Sequence, residues 1–172
     1  MDRLLAHLPQ EVPRVAARAL NKTGFSAKAQ ALKMLATELG ITQRVLRPCV
    51  FLQKARPAEL TAVLGVKEKK PLPLIAIDPK AKQTPVGVST RGPGGVRRTV
   101  AGAFIATMPS GHKGMFMRRG KARLPLRELT GPGISTLFAE VKLQQALAKT
   151  VEERWPVVLA QEINYIRIRQ RG

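Results

Sequence analysis

The stretch from Arg91 to Arg127 contains many basic side chains and no acidic one. Such a density of arginine and lysine favours contact with an anion, either the phosphates of a nucleic acid or the carboxylates of a protein. The alternative is a basic face that contacts only water. The length of the acid-free run favours a binding surface, for contact with a partner protein or with DNA. The predicted binding surface comprises nine basic residues: Arg91, Arg97, Arg98, Lys113, Arg118, Arg119, Lys121, Arg123 and Arg127.

Groups that could carry catalysis or hold a metal are few. His7 and His112 are the only histidines, and neither has the spacing to other ligands that a metal site needs. No carboxylate pair or nucleophile–base arrangement stands out. The glycines Gly92, Gly94 and Gly95 lack the Gly-Lys-Ser/Thr ending of a phosphate-binding loop and predict a hairpin tip. We therefore predict no enzyme, no catalytic or metal-ligating residues and no cofactor.

The composition is typical of a globular protein, and its net charge favours binding to a polyanion. The chain has 172 residues, 44% of them hydrophobic, and a formal net charge of +19. Such an imbalance favours a nucleic acid or an acidic protein as neighbour. Cys49 is the only cysteine, which excludes an intramolecular disulfide and fits a reducing cytoplasm. No apolar run is long enough for a membrane span, so we expect no membrane contact.

The residues before the acid-free stretch predict helices and then strands. Residues 1–47 form the helical N-terminal part, with a helix break expected at Asn21 to Gly24 and a helix end at Gly40. A short turn from Thr42 to Leu46 stops before a proline. Residues 48–130 predict a mostly antiparallel sheet, whose longest run is expected to bend at Gly102. The predicted strands are Val50–Leu52, Leu60–Val66, Leu72–Ile77, Val86–Ser89, Val96–Thr107, Met115–Met117 and Leu124–Leu129, the last two joined by a basic turn.

The C-terminal part predicts one long helix over residues 134–170, kinked or divided near Pro156. Its apolar stripe includes Phe138, Val151, Trp155 and Leu159, which we expect to pack on the sheet. Helices at both ends with strands between predict the α+β class. We expect a single domain over residues 1–172.

A motif around the basic turn resembles the minor tail protein Z family of lambda-like phages and prophages. Arg18-Ala19-Leu20-Asn21-Lys22-Thr23, Glu38 to Ile41 and Phe104 to Ala106 are similar to other parts of that family, so the resemblance covers nearly the whole chain. The motif itself consists of Gly111, His112, Lys113, Gly114, Phe116, Leu124, Pro125, Arg127, Glu128, Leu129, Gly131 and Pro132.

The resemblance implies a structural virion protein. Such a protein is a minor tail, or tail completion, component at the head-proximal end of a long non-contractile tail, and it makes the tail competent for head–tail joining at the neck. The expected partners are other copies in a ring, the tail terminator and tail tube, the head–tail connector, and packaged DNA in the channel. Six copies are expected rather than twelve, because a tail tube repeats identical docking surfaces. Assembly would take place in the host cytoplasm.

A second function remains open, that of a stand-alone basic nucleic-acid-binding protein of ribosomal type. The net charge of +19 supports it. The aromatic content of 4% and the lack of a recognition module oppose it.

Overall fold

The computed structural model of the chain describes residues 8–67, 71–92 and 95–169. Its helices are α1 (Leu8–Leu39), α2 (Gln43–Leu46), α3 (Leu74–Ile77), α4 (Ile134–Phe138) and α5 (Val141–Arg169). Its strands are β1 (Val50–Gln53), β2 (Val63–Val66), β3 (Lys82–Gln83), β4 (Gly87–Arg91), β5 (Arg97–Ala101), β6 (Ala103–Thr107), β7 (Lys113–Arg118) and β8 (Leu126–Glu128).

The strands form three small antiparallel sheets, with the orders β1-β2, β3-β4-β5 and β6-β7-β8. Every pairing joins strands that are neighbours along the chain. Together with an N-terminal helix and a long C-terminal helix, these sheets confirm the α+β class.

Helix α1 runs without interruption through the segment where a break was expected. The prediction of a break at Asn21 to Gly24 is therefore wrong. The cause is tertiary packing: the side chain of Leu52 lies against Gly24, and Asn21 bonds to the backbone of Ala55. The helix end at Gly40 is confirmed, since Gly40 has a φ of +66° and its N–H donates to the carbonyl of Thr37.

The apolar run Leu72–Ile77 was predicted as a strand, and this prediction is wrong. Its second part is the short helix α3, preceded by Pro73 and closed by a hydrogen bond from the N–H of Asp78 to the carbonyl of Leu74. A short apolar run has no periodicity that separates a strand from a buried helical turn. The predicted strand Leu60–Val66 is shorter than expected and begins at Val63.

The run Val96–Thr107 was expected to be one bent strand, and the structure divides it at Gly102. The residues before Gly102 form β5 and pair with β4, whereas those after it form β6 and pair with β7. Gly102 has a φ of +70°, a conformation that residues with a side chain rarely adopt. The chain therefore leaves one sheet and enters the next at this residue.

The C-terminal segment forms two helices rather than one. The interruption lies between Phe138 and Val141, and α5 continues through Pro156 instead of dividing there. The expectation that Val151 belongs to the core is also wrong, since this residue is 41% exposed. Trp155 and Leu159 are half-buried.

The contacts divide the chain into two compact units. The helical unit comprises Met1–Leu32, Val50–Lys67 and Ala139–Gly172, and the sheet unit comprises Lys33–Cys49 and Glu68–Phe138. This division does not follow the three consecutive parts expected from the sequence, 1–47, 48–130 and 134–170, because each unit is assembled from separate segments. The single domain over residues 1–172 stays a prediction.

The two units have different cores. In the helical unit the buried side chains of α1 are mostly small, among them Ala17, Ala19, Ala27 and Ala31. In the sheet unit a buried cluster from both three-stranded sheets forms the centre, and half-buried neighbours surround it. The cluster consists of Val88, Ala103 and Met115, packed against Leu74, Ile75, Ala81, Val100, Ile105 and Leu129.

Candidate interaction surface

All nine residues of the predicted basic surface lie in the sheet unit, and all are exposed. They are concentrated at strand ends and in the turn between β7 and β8. Three belong to the β4–β5 hairpin (Arg91, Arg97, Arg98), three to β7 and β8 (Lys113, Arg118, Arg127) and three to the turn (Arg119, Lys121, Arg123). Proline and glycine end these strands, so the connecting turns carry the long cationic side chains into solvent.

Two carboxylates flank the acid-free stretch, Asp78 before it and Glu128 after it, and each contacts other groups of the sheet unit. Asp78 is buried and accepts hydrogen bonds from the backbone N–H groups of Lys80 (3.2 Å) and Arg91 (2.8 Å). Glu128 lies 2.7 Å from Nε2 of His112. Among the described residues, neither carboxylate lies within 4.0 Å of a cation in the turn between β7 and β8.

The β4–β5 hairpin places like charges opposite each other. Arg91 is the cross-strand partner of Arg97, an arrangement that is unfavourable by itself. Asp78 offsets it, since its Oδ2 accepts from the Arg91 N–H and lies 3.8 Å from Nη2 of Arg97. Arg98 has no carboxylate within 4.0 Å among the residues the structure describes.

The ends of β7 and β8 form a concave site that we call the arginine cup. Arg118, Arg119, Arg127 and Met117 line a cavity of about 420 Å³. The register places Arg127 opposite Met117, and the N–H of Arg119 donates to the carbonyl of Pro125 at 3.3 Å. In the described part of the chain, no carboxylate lies within 4.0 Å of any of the three guanidinium groups. The cup is thus a preformed, uncompensated cationic concavity.

Most residues of the motif build the sheet beneath this surface. Phe116 of β7 lies opposite both Phe104 and Glu128, and its ring centroid is 6.3 Å from that of Phe104. A Cβ atom at Gly114 would lie 2.7 Å from Cζ of Phe116 and 2.8 Å from Oε1 of Glu128. His112 packs edge-on against Phe116 and pairs with Glu128. Sequence reasoning missed this pair, although alternation along β7 puts His112, Gly114 and Phe116 on one face.

The remaining motif residues hold the ends of this sheet. Gly111 has a φ of +80° and closes the turn between β6 and β7 by donating its N–H to the carbonyl of Met108. The N–H of Gly131 donates to the carbonyl of Leu72, and the N–H of Leu129 to that of Met115. Lys113, Leu124 and Pro125 are exposed, and Pro132 is half-buried.

The N-terminal motif performs a similar structural task in the helical unit. The side-chain amide of Asn21 accepts from the N–H of Ala55 at 2.8 Å and donates to its carbonyl at 3.0 Å. Arg18 and Lys22 contact the two oxygens of the buried Glu162, at 2.9 Å and 2.6 Å. These residues tie α1 to the segment after β1 and to α5.

The helical unit also carries an apolar groove. Its volume is about 570 Å³, and one wall is formed by Val12, Val15 and Ala16 of α1. The other wall is formed by α5, including Trp155 and Leu159. Trp155 therefore lines a groove beside α1, and its expected packing on the sheet stays a prediction.

The described residues offer no assembled metal site and no membrane span. Among residues 8–67, 71–92 and 95–169, no three His, Cys, Asp or Glu side chains lie together in a way that could hold a metal ion. No helix in this part of the chain is long and apolar enough to cross a membrane. His7 lies outside the described residues.

The fold and its surface define a strongly basic α+β protein whose distinctive feature is an exposed cationic face. Residues 3–170 match the family described as prophage minor tail protein Z (GPZ), and the chain belongs to this family. No curated protein and no solved structure matches the chain. The resemblance seen in the sequence is confirmed, and the protein has a structural role in a phage tail, as a component of the virion.

Proposed function

We propose that the protein is a tail completion component that acts at the head-proximal end of a long tail and is needed for head–tail joining. Membership of the minor tail protein Z family over residues 3–170 carries this proposal. The exposed basic surface of the sheet unit supports it, because a protein at the neck meets both assembled protein rings and packaged DNA. The role is one of contact rather than catalysis, with no cofactor.

A ring of identical copies, six in number, is the assembly we propose. The net charge of +19 per chain restricts how such copies can meet. A closed ring of six joins two different surfaces of neighbouring copies, and with 11 acidic against 30 basic residues the chain offers few carboxylates to face the basic surface, so we assign that surface to contacts outside the ring. It faces instead an oppositely charged neighbour: the tail terminator or tail tube, the head–tail connector, or DNA in the channel.

The alternative function is that of a stand-alone nucleic-acid-binding protein. The observation in its favour is the set of nine exposed cations. Binding of free DNA by a monomer, with an affinity that falls steeply with salt, together with absence of the protein from particles, would establish this alternative.

The test of the main proposal is complementation of phage that lacks this chain. The variant carries Arg118→Gln, Arg119→Gln and Arg123→Gln, all exposed in or beside the β7–β8 turn. We expect a folded protein, shown by an unchanged circular dichroism spectrum, and particles in which filled heads and tails remain separate. Wild-type yields of infectious particles would show that these arginines only contact water. A particle reconstruction without copies at the neck would contradict the proposed position.

A further inference from the structure

We propose that the arginine cup binds adjacent carboxylates on an acidic segment of a partner protein, rather than the phosphates of duplex DNA. This proposal specifies the partner of the proposed function, and it rests on that function in one respect: the basic surface of the sheet unit contacts a neighbour. The inference comes from the geometry of Arg118, Arg119, Arg127 and Met117.

The three arginines of the cup come from adjacent strands and the turn that follows. Arg118 is the last residue of β7, Arg127 lies in β8 beside it, and Arg119 follows directly, with its N–H bonded to the carbonyl of Pro125. Two strands and the start of a turn thus contribute three arginines to the lining of one cavity of about 420 Å³. Three like charges held so close repel one another, and an anion in the cup relieves that repulsion.

The concave shape of the cup differs from the surface that duplex DNA requires. Duplex DNA carries its charges along the outside of a broad helix, about one per 1.7 Å of axis, and is met by cations spread along a surface. A cavity of about 420 Å³ admits side chains but not a duplex. The concavity therefore fits a projecting protein segment.

The side chains that line the cup are chemically suited to glutamate. The planar guanidinium donates two parallel hydrogen bonds to a carboxylate, which suits several arginines to a pair of neighbouring acidic side chains. Met117 contributes a half-buried apolar wall, against which the methylene groups of glutamate can pack. A phosphate group would bring no apolar surface to this wall.

Two basic residues near the cup have a different role. Lys121 and Arg123 are exposed in the same turn but do not line the cavity. At this position they strengthen the long-range attraction of an acidic partner without fixing its orientation.

The experiment measures binding of two probes to the purified full chain by fluorescence anisotropy, at about 100 mM salt. One probe is a labelled peptide with three consecutive glutamates between glycine–serine ends, compared with the same peptide carrying glutamines. The other is a short labelled DNA duplex. The cup variant carries Arg118→Gln, Arg119→Gln and Arg127→Gln. The control carries Arg44→Gln, Arg47→Gln and Lys80→Gln, which remove the same charge from exposed positions of the same unit outside the basic surface.

We expect the wild-type chain to bind the glutamate peptide and not the glutamine peptide. The cup variant should lose about 10-fold or more in affinity for the glutamate peptide, and the control less than about 3-fold. Both variants should lose duplex affinity equally, because that binding depends on total charge. A third variant with lysine at the three cup positions keeps the charge and should still lose affinity for the peptide, since lysine lacks the guanidinium fork.

Three results would overturn the proposal. They are equal peptide affinities of the cup and control variants, no difference between the two peptides, or a loss of duplex affinity confined to the cup variant, which would assign the cup to nucleic acid. Because the measurement uses purified protein, its outcome is independent of where the chain sits in the particle. The proposed head-proximal role is tested separately, by complementation and by reconstruction of particles.

Discussion

Replacement of Glu162 by glutamine tests the ion pairs that tie α1 to α5 in the helical unit. The Glu162 side chain is only 6% exposed, and its two oxygens contact Nε of Arg18 at 2.9 Å and Nζ of Lys22 at 2.6 Å. Glutamine preserves the shape of the side chain and one acceptor oxygen. The change therefore removes the negative charge and little else.

The size of the effect follows from the burial of the three groups. Loss of one partner from a fully buried ion pair costs about 3–5 kcal/mol, because the remaining charge stays buried. Here the Lys22 side chain is 62% exposed, so its ammonium group can be hydrated after the change, whereas Nε and Nη2 of Arg18 are buried although that side chain as a whole is 41% exposed. Arg18 and Lys22 are also neighbours one helical turn apart, and their repulsion adds about 0.2–0.5 kcal/mol once the carboxylate is gone. We expect Glu162→Gln to lower the free energy of unfolding by about 2 kcal/mol.

The assay is urea denaturation followed by circular dichroism, with Glu153→Gln as the matched control. Glu153 lies in the same helix, is 65% exposed, and meets Lys149 at 3.9 Å, so its replacement changes the net charge equally. The control should stay within about 0.5 kcal/mol of the wild type. Equal losses in the two variants would refute the reasoning, because the effect would then reflect net charge and not the buried contact.

Three further changes test other contacts, each by the shift in the free energy of unfolding. Asn21→Ala should cost about 1–3 kcal/mol, since it leaves the N–H and carbonyl of buried Ala55 without their partner; a cost below about 0.5 kcal/mol would contradict this. Gly114→Ala should cost about 1–3 kcal/mol, because the new methyl group would clash with the Phe116 ring and the Glu128 carboxylate. The control Gly120→Ala places its methyl group in open space and should leave the stability unchanged. Equal effects of the two changes would contradict the packing described around Gly114. Trp155→Ala should cost less than the roughly 3–5 kcal/mol of a fully buried tryptophan, because Trp155 is half-buried at a groove; a loss in that higher range would show tighter packing.

The sequence was sufficient for features that depend on local pattern. The helix end at Gly40, the paired strands on either side of the basic turn and the exposure of that turn all follow from glycine, proline and charge positions. The motif also identified the family correctly.

The errors arise where distant contacts override local preference. Asn21 to Gly24 has the composition of a turn, but Asn21 is used to hold Ala55, 34 residues away, and helix α1 continues. Likewise, nine cations predicted a basic surface but not the arginine cup, which depends on the register that places Arg127 opposite Met117. A distant partner leaves no signal in local periodicity, and the register of β7 and β8 depends also on the geometry of the turn that joins them.

The segment composition of the two units has a consequence for the order of folding during synthesis. Every strand pairing in the sheet unit joins consecutive strands, so each hairpin can close soon after its second strand leaves the ribosome. All segments of the sheet unit have been made once residue 138 is complete, whereas the helical unit lacks its third segment, with α5, until the end of translation. We therefore expect the sheet unit, with its basic surface, to fold while Glu162, the buried partner of Arg18 and Lys22 in α1, has not yet been synthesised. The helical unit is then the last to fold.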